Sequence, residues 1–222
     1  MNSVTFKAVI FDLDGTLLDT VEDIAKASNQ VLAARGFPTH PLEVHRAAIG
    51  NGARQLMLSV LPESARDPIT VQECFEAFRK EYGERWNVKT RPYPGIPEML
   101  DGLQSRGLRL AVLSNKPVEL TRKCVHGLLS KWKFEMILGA EDHRPSKPDP
   151  SGAIEIANRL GIKADEFLYL GDSGVDMKTA TAAGMVAVGA LWGFRGREEL
   201  LRDGALVLLE HPEEMLHLVQ QP

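Results

Sequence analysis

The chain predicts an α/β protein: a parallel sheet with helices on both faces and a block of helices inserted after the first strand. Three observations carry this. From residue 96 onward, short apolar runs alternate with amphipathic segments of helical spacing. Between residues 20 and 87 only helical patterns occur. Ahead of both stands one apolar run, Lys7–Phe11, which ends in two carboxylates, Asp12 and Asp14. The α/β core is therefore expected over residues 1–17 and 90–222, and the helical insertion over 18–89.

Lys7–Phe11 reads as a buried strand and Gly15-Thr16 as the turn after it. Thr20 is placed to cap a first helix that has Glu22 and Asp23 in its first turn. Ile24, Val31 and Leu32, with small Ala27 and Ser28, form the apolar face of that helix, and Gly36 closes it. Ala53–Leu61 and Val71–Trp86 are also helical, the second with Cys74, Phe75, Phe78 and Tyr82 along one side. Pro62 and Pro68 break the run between them. The Pro-rich stretch Arg91–Gly95 marks the return to the core. Helix Ile96–Gln104, strand Leu108–Leu113, helix Pro117–Leu129 and strand Phe134–Leu138 follow. Helix Ser151–Leu160, strand Phe167–Leu170, helix Asp176–Ala183 and strand Val186–Ala190 continue the alternation. A strand at Ala205–Leu208 and a helix at Pro212–Val219 complete the chain.

Composition narrows the function classes. With 222 residues, 44% of them hydrophobic, the chain can bury a sizeable core. Lys and Arg number 26 against 30 Asp and Glu, a net charge of −4, and basic residues are not clustered, which argues against a nucleic-acid surface. Cys74 and Cys124 lie far apart without a CxxC spacing, so neither a disulfide framework nor a zinc site is expected. No run is long and apolar enough to span a membrane, and the N-terminus lacks a signal peptide's layout. The expectation is a cytoplasmic monomer or homodimer. The six histidines are scattered and read as surface or incidental residues.

In doubly wound sheets ligands bind beyond the carboxyl ends of the strands. That rule selects Asp12 and Asp14 after the first strand, and Ser114, Asn115 and Lys116 after the second. It selects Lys147 in the loop after the third, and Asp172, with Asp176 one helical turn on, after the fourth. Asp12 and Asp14, two apart on a strand, point the same way and repel unless a cation or a division of labour makes the pairing favourable. Mg²⁺ suits carboxylates together with phosphate oxygens, with Asp12 and Asp172 as natural ligands and Asp176 behind them. A lysine and a hydroxyl converging there, Lys147 and Ser114, would hold phosphate oxygens. A carboxylate can attack a phosphoryl group, and its neighbour can move the leaving group's proton. Asp172 could also serve as a helix N-cap.

Asp12-Leu13-Asp14-Gly15-Thr16, Ser114-Asn115, Lys147 in its Lys-Pro-Asp-Pro context, and Gly171-Asp172-Ser173-Gly174-Val175-Asp176 stand in one order along the chain. In these four motifs it resembles the phosphatases of the haloacid dehalogenase-like hydrolase superfamily, over essentially its whole length. The resemblance implies a Rossmann-like core with an inserted α-helical cap of the C1 type. It implies Asp12 as nucleophile, Asp14 as general acid/base, and Mg²⁺ held by Asp12, the Asp14 backbone carbonyl and Asp172. Ser114, Asn115 and Lys147 would bind phosphate, with Asp176 and Thr16 in support. Ile49-Gly50-Asn51-Gly52, Ser114-Asn115-Lys116-Pro117, Gly171–Met177 and Trp192-Gly193-Phe194-Arg195 are most similar to the phosphoglycolate phosphatases of that superfamily. Pyrophosphate, sugar-phosphate and nucleotide phosphatases share much of this pattern. A phosphomutase is a further reading, against which Thr16 speaks, and a non-catalytic binding protein another, which would have lost an aspartate or the lysine. In the insertion, Asn51 and Gly52 at a helix start, with Arg54 one turn in, are expected to take a small substrate's anionic group.

Overall fold

A computed structural model describes residues 5–219. In chain order the elements are β1 (Ala8–Phe11), β2 (Leu18–Asp19), α1 (Val21–Ala34), α2 (Leu42–Ala48), α3 (Ala53–Val60), α4 (Pro68–Arg85), β3 (Arg91–Pro92) and α5 (Ile96–Ser105). They continue as β4 (Arg109–Pro117), α6 (Val118–Leu128), β5 (Phe134–Ala140), α7 (Ser151–Leu160), β6 (Phe167–Gly171), α8 (Gly174–Ala182), β7 (Val186–Ala190), α9 (Arg197–Arg202) and β8 (Val207–Leu209).

Six strands form one sheet in the order β5-β4-β1-β6-β7-β8, and every pairing in it is parallel. β1 is fully buried because it lies between β4 and β6 and is covered on both faces. Its side chains divide with the two-residue period of a strand. Val9 and Phe11 join a core with Ile96, Met99 and Leu103 of α5 and Cys124 and Val125 of α6. Ala8 and Ile10 join the opposite core with Ala153 and Ile156 of α7 and Met177 and Ala180 of α8. The chain leaves β1 for β4 on one side and later passes β6 on the other. The order therefore reverses at β1, and the crevice beyond its carboxyl end is where such sheets bind ligands.

The helices α1–α4 are inserted between β1 and α5. The chain departs through β2 and returns through β3, which pair antiparallel with Leu18 opposite Pro92 and Asp19 opposite Arg91. Asp23, buried on α1, ties the two crossings together: one carboxylate oxygen accepts from the Lys89 and Thr90 backbone N–H groups and from the Thr90 hydroxyl.

Several local expectations are corrected. Thr20 sits at the N-cap of α1, but its buried hydroxyl makes no capping bond. Pro68 starts α4 instead of breaking it, because its missing N–H costs nothing in a first turn, and Asp67 caps that turn. α2 and α9 are short helices with little periodicity to reveal them. Pro212–His217 is a 3-10 turn, not an α-helix. His45 is not incidental: it is fully buried on α2, with Nε2 3.1 Å from Asn29 Oδ1. Cys74 and Cys124 are buried free thiols. Among the described residues, no helix is long and apolar enough to cross a membrane.

Candidate active site

Four strand ends converge beyond β1. Asp12 follows β1 directly, Ser114 and Asn115 lie near the carboxyl end of β4, and Asp172 follows β6. Lys147 arrives from the loop between β5 and α7. Asp12, Asp172 and Asp176 are all buried and offer carboxylate oxygens within 4.8 Å of one another. Lys147 Nζ lies 2.9 Å from Asp12 Oδ1 and 2.6 Å from Asp176 Oδ1. Asp176 Oδ2 is held from behind by the Ser173 backbone N–H (3.1 Å) and hydroxyl (2.6 Å). Ser173, not Asp172, thus caps α8, and both Asp176 oxygens are already bonded.

Asp172 is fixed from two sides. Thr16 Oγ1 donates to Oδ1 at 2.9 Å and the Phe194 N–H donates to Oδ2 at 2.8 Å. Thr16 therefore orients Asp172 within the carboxylate cluster. Glycines let the backbone come this close: a Cβ on Gly15, whose φ is +89°, would lie 2.4 Å from Asp172 Oδ2, and one on Gly193 would lie 2.2 Å from Asp172 Cβ.

Asp14 points to a different partner. Its two oxygens accept from Lys116 Nζ at 2.7 and 3.0 Å, and the same ammonium donates to the Tyr82 hydroxyl at 2.9 Å. Four acids (Asp12, Asp14, Asp172, Asp176) thus face two ammonium groups (Lys116, Lys147). With all four ionised, two negative charges would be left uncompensated in a buried site. Burial pushes the Asp12 carboxyl up to about 7, against the pull of Lys147 and helped by Asp176. Burial, with Asp176 and Asp12 beside it, pushes Asp172 up to about 8. Burial alone would lower Lys116 and Lys147, but their carboxylate partners hold both well above the usual lysine range. Such a donor set fits a hard divalent cation, which supplies the missing charge to oxygen ligands.

Asn115 is occupied. Its amide nitrogen donates to the Gly50 and Lys147 carbonyls, each at 3.0 Å, and its oxygen accepts from the Lys147 N–H at 2.8 Å. The side chain read as a phosphate ligand is a clamp on the lysine loop. Ser114 Oγ accepts from the Lys116 N–H at 3.2 Å, which leaves its own hydrogen to donate.

A cavity of about 40 Å³ lies between the strand ends and the helices, bounded by Asp12, Asp14, Ser114, Lys116, Tyr82 and Gly52. Space of that size takes a few waters or a small organic group. Outside it runs an open groove of about 710 Å³ with Asn51, Arg54, Gln72 and Arg79 on its walls. Arg54 hydrogen-bonds Gln72 there. The structure therefore brings together Asp12, Asp14, Thr16, Ser114, Asn115, Lys147, Asp172 and Asp176, with Gly52 at their edge, and leaves Asn51 and Arg54 in the outer groove.

Sequence reading assigns no role in the site to two of its parts. Lys116 was visible at the end of β4, but only the fold brings it to Asp14, which is 102 positions away. The stretch from Trp192 to Arg195 is marked in the sequence by its resemblance alone, without a role in the site. In fact Trp192 Nε1 donates to the Thr16 carbonyl at 2.9 Å, and the Phe194 N–H holds Asp172. Arg195 then donates to the carbonyls of Arg46, Ala47 and Ile49 around the end of α2.

Carboxylates and lysines at the switch point of a parallel sheet suit a hydrolase that handles phosphate, and comparison with known proteins gives the class. The family model for haloacid dehalogenase-like hydrolases matches residues 9–190. A phosphoglycolate phosphatase of Aquifex aeolicus is 34% identical over 213 residues, 96% of each chain. An N-acetylmuramic acid 6-phosphate phosphatase of Pseudomonas aeruginosa is 30% identical, covering 100% of this chain and 98% of its own. A crystal structure from Lactobacillus delbrueckii, provisionally named a phosphoglycolate phosphatase, superposes with a TM-score of 0.89 at 29% identity, over 98% of this chain and 100% of its own. The chain belongs to the haloacid dehalogenase-like hydrolases. Within that family it is a phosphatase.

Proposed function

We propose that the protein is a Mg²⁺-dependent phosphomonoesterase that works through an aspartyl-phosphate on Asp12, with phosphoglycolate as its substrate. One observation carries this most: the clustered carboxyls of Asp12, Asp172 and Asp176 share a single ammonium, Lys147, a donor set suited to a divalent cation. Asp12, Asp172 and the Asp14 backbone carbonyl would hold Mg²⁺. When bound, the ion neutralises charge on the phosphate and lessens its repulsion from the carboxylates. Asp176 stands behind them through Lys147 and Ser173.

Asp12 attacks phosphorus, forming a carboxylate–phosphorus bond while the bond to the ester oxygen breaks. Asp14, which enters the cycle protonated, gives that oxygen its proton and then takes one from the water that hydrolyses the intermediate, which restores both Asp12 and the Asp14 proton. Lys147 and Ser114 hold phosphate oxygens, and Asn115 keeps Lys147 in place. Residues 18–89 act as a cap over the core of residues 1–17 and 90–222, moving about the β2–β3 ribbon. The small cavity and the Aquifex relative support a two-carbon leaving group. The Pseudomonas relative favours a second reading, a sugar phosphate, which requires the cavity to widen.

Initial rates on phosphoglycolate, pyrophosphate, N-acetylmuramic acid 6-phosphate, other sugar phosphates and nucleotides, with and without chelator, test the reading. Chelator is expected to abolish turnover and added Mg²⁺ to restore it, with phosphoglycolate the preferred substrate. Asp12→Asn is expected to lose at least about 10³-fold in kcat. A wild-type rate in that variant, or in excess chelator, overturns the mechanism, and preference for another ester overturns the substrate.

A further inference from the structure

Lys116 is not accounted for by phosphate binding or by metal binding. Among the described residues lining the inner cavity it is the one ammonium or guanidinium. Lys147 is committed to Asp12 and Asp176 at the phosphate end, and Arg54 lies in the outer groove against Gln72. Lys116 is 6% exposed and is reached from the inserted helices by the Tyr82 hydroxyl of α4. Around this pair the cavity wall is apolar, made by Ile24, Ile49, Leu56, Phe78 and Leu120.

A leaving group that enters here meets one cation, one phenol hydroxyl and hydrocarbon, with Asp12, Asp14, Ser114 and Asn115 at the phosphate end of the cavity. Sugar hydroxyls would lose their hydrogen bonds against that wall, which is unfavourable. A short chain ending in a carboxylate keeps a charge-assisted partner. The three hydrogens of Lys116 go to two Asp14 oxygens and to Tyr82. When Asp14 turns one oxygen to the ester oxygen it gives up one of those bonds, and a substrate carboxylate can take it. We infer that Lys116, with the Tyr82 hydroxyl beside it, is the specificity-determining group that reads an anionic leaving group, so that the preferred substrates are phosphate esters of short hydroxy acids. This rests on the phosphomonoesterase reading and adds which residue selects the substrate. The alternative is that Lys116 only positions Asp14.

The two roles separate in a selectivity ratio. kcat/KM is measured on phosphoglycolate and on the uncharged 2-hydroxyethyl phosphate for the wild type, Lys116→Met and Tyr82→Phe. Lost positioning of Asp14 slows both substrates alike. Lost reading of the carboxylate lowers the phosphoglycolate/2-hydroxyethyl phosphate ratio by about 10-fold or more for Lys116→Met, and by less for Tyr82→Phe. If the variants are too slow to assay, calorimetric titration of phosphoglycolate into Asp12→Asn and Asp12→Asn/Lys116→Met is expected to show Kd rising by a similar factor. Wild-type preference for phosphoglycolate with an unchanged ratio in Lys116→Met overturns this inference and leaves the phosphatase reading standing. Wild-type preference for the uncharged ester overturns the phosphoglycolate assignment and the inference together.

Discussion

Asn115 shows how a residue with the right chemistry can serve through another. Its amide bonds to the Gly50 and Lys147 carbonyls and to the Lys147 N–H, so it fixes the loop that presents the ammonium to Asp12. Asn115→Ala is expected to lower kcat by about 10- to 100-fold, since small misplacements of a charged group are costly in a preorganised site. Steady-state rates at saturating substrate check this. A change confined to KM would instead support direct binding of substrate by the side chain. His45 is a second case at this scale. Burial lowers its pKa from about 6.5 to about 4, with neighbouring His40 adding to the effect. Its folded-state pKa lies below the unfolded one, so the unfolded chain binds the proton more readily. Stability is then complete above pH 6.5 and declines as pH falls towards 4. The melting temperature is expected to fall with pH across that window in the wild type and to fall less in His45→Gln.

At the scale of elements, the β2–β3 ribbon joins the inserted helices to the sheet, and Asp23 holds it closed. Removing that carboxylate leaves the buried Thr90 N–H and hydroxyl, and the half-buried Lys89 N–H, without their acceptor. Asp23→Ala is expected to cost about 3 kcal/mol, read as a lower midpoint in denaturant unfolding. The elements were legible to different degrees for physical reasons. Ser151–Leu160 and Val186–Ala190 were read to their ends, because amphipathic and fully buried patterns are strong when a segment has one environment. α9 has six residues, too few for a period to show. Pro212 marked the start of the last turn correctly, but nothing local distinguishes a 3-10 turn from an α-turn there. The site followed the same logic. Asp12, Asp14 and Asp172 stand at strand ends and could be placed by topology alone. The ion pair of Lys116 with Asp14 depends on how neighbouring strands meet, and the bonds of Arg195 to α2 depend on packing across the molecule. Spacing along the chain records neither.

For the whole molecule the dominant electrostatic feature is a buried excess of negative charge at the sheet's switch point. A cation bound there stabilises the folded state by mass action, because the unfolded chain does not bring these acids together. At Mg²⁺ a hundredfold above Kd the gain is about 2.7 kcal/mol, or roughly 5–10 °C in Tm for a chain of this size. Differential scanning fluorimetry is expected to show that rise in the wild type and to lose it in Asp172→Asn. An equal rise in the variant counts against a cation at Asp172.

Departure and return at one paired ribbon also bear on how such a chain can change. α1–α4 enter between strands whose register is set elsewhere, by β1 with β4 and β1 with β6. Lengthening, shortening or exchanging the segment between Asp19 and Arg91 leaves that register untouched, provided the ribbon still closes. Recombination or directed evolution confined to this segment could therefore alter which molecules are admitted while the Asp12 cluster remains intact.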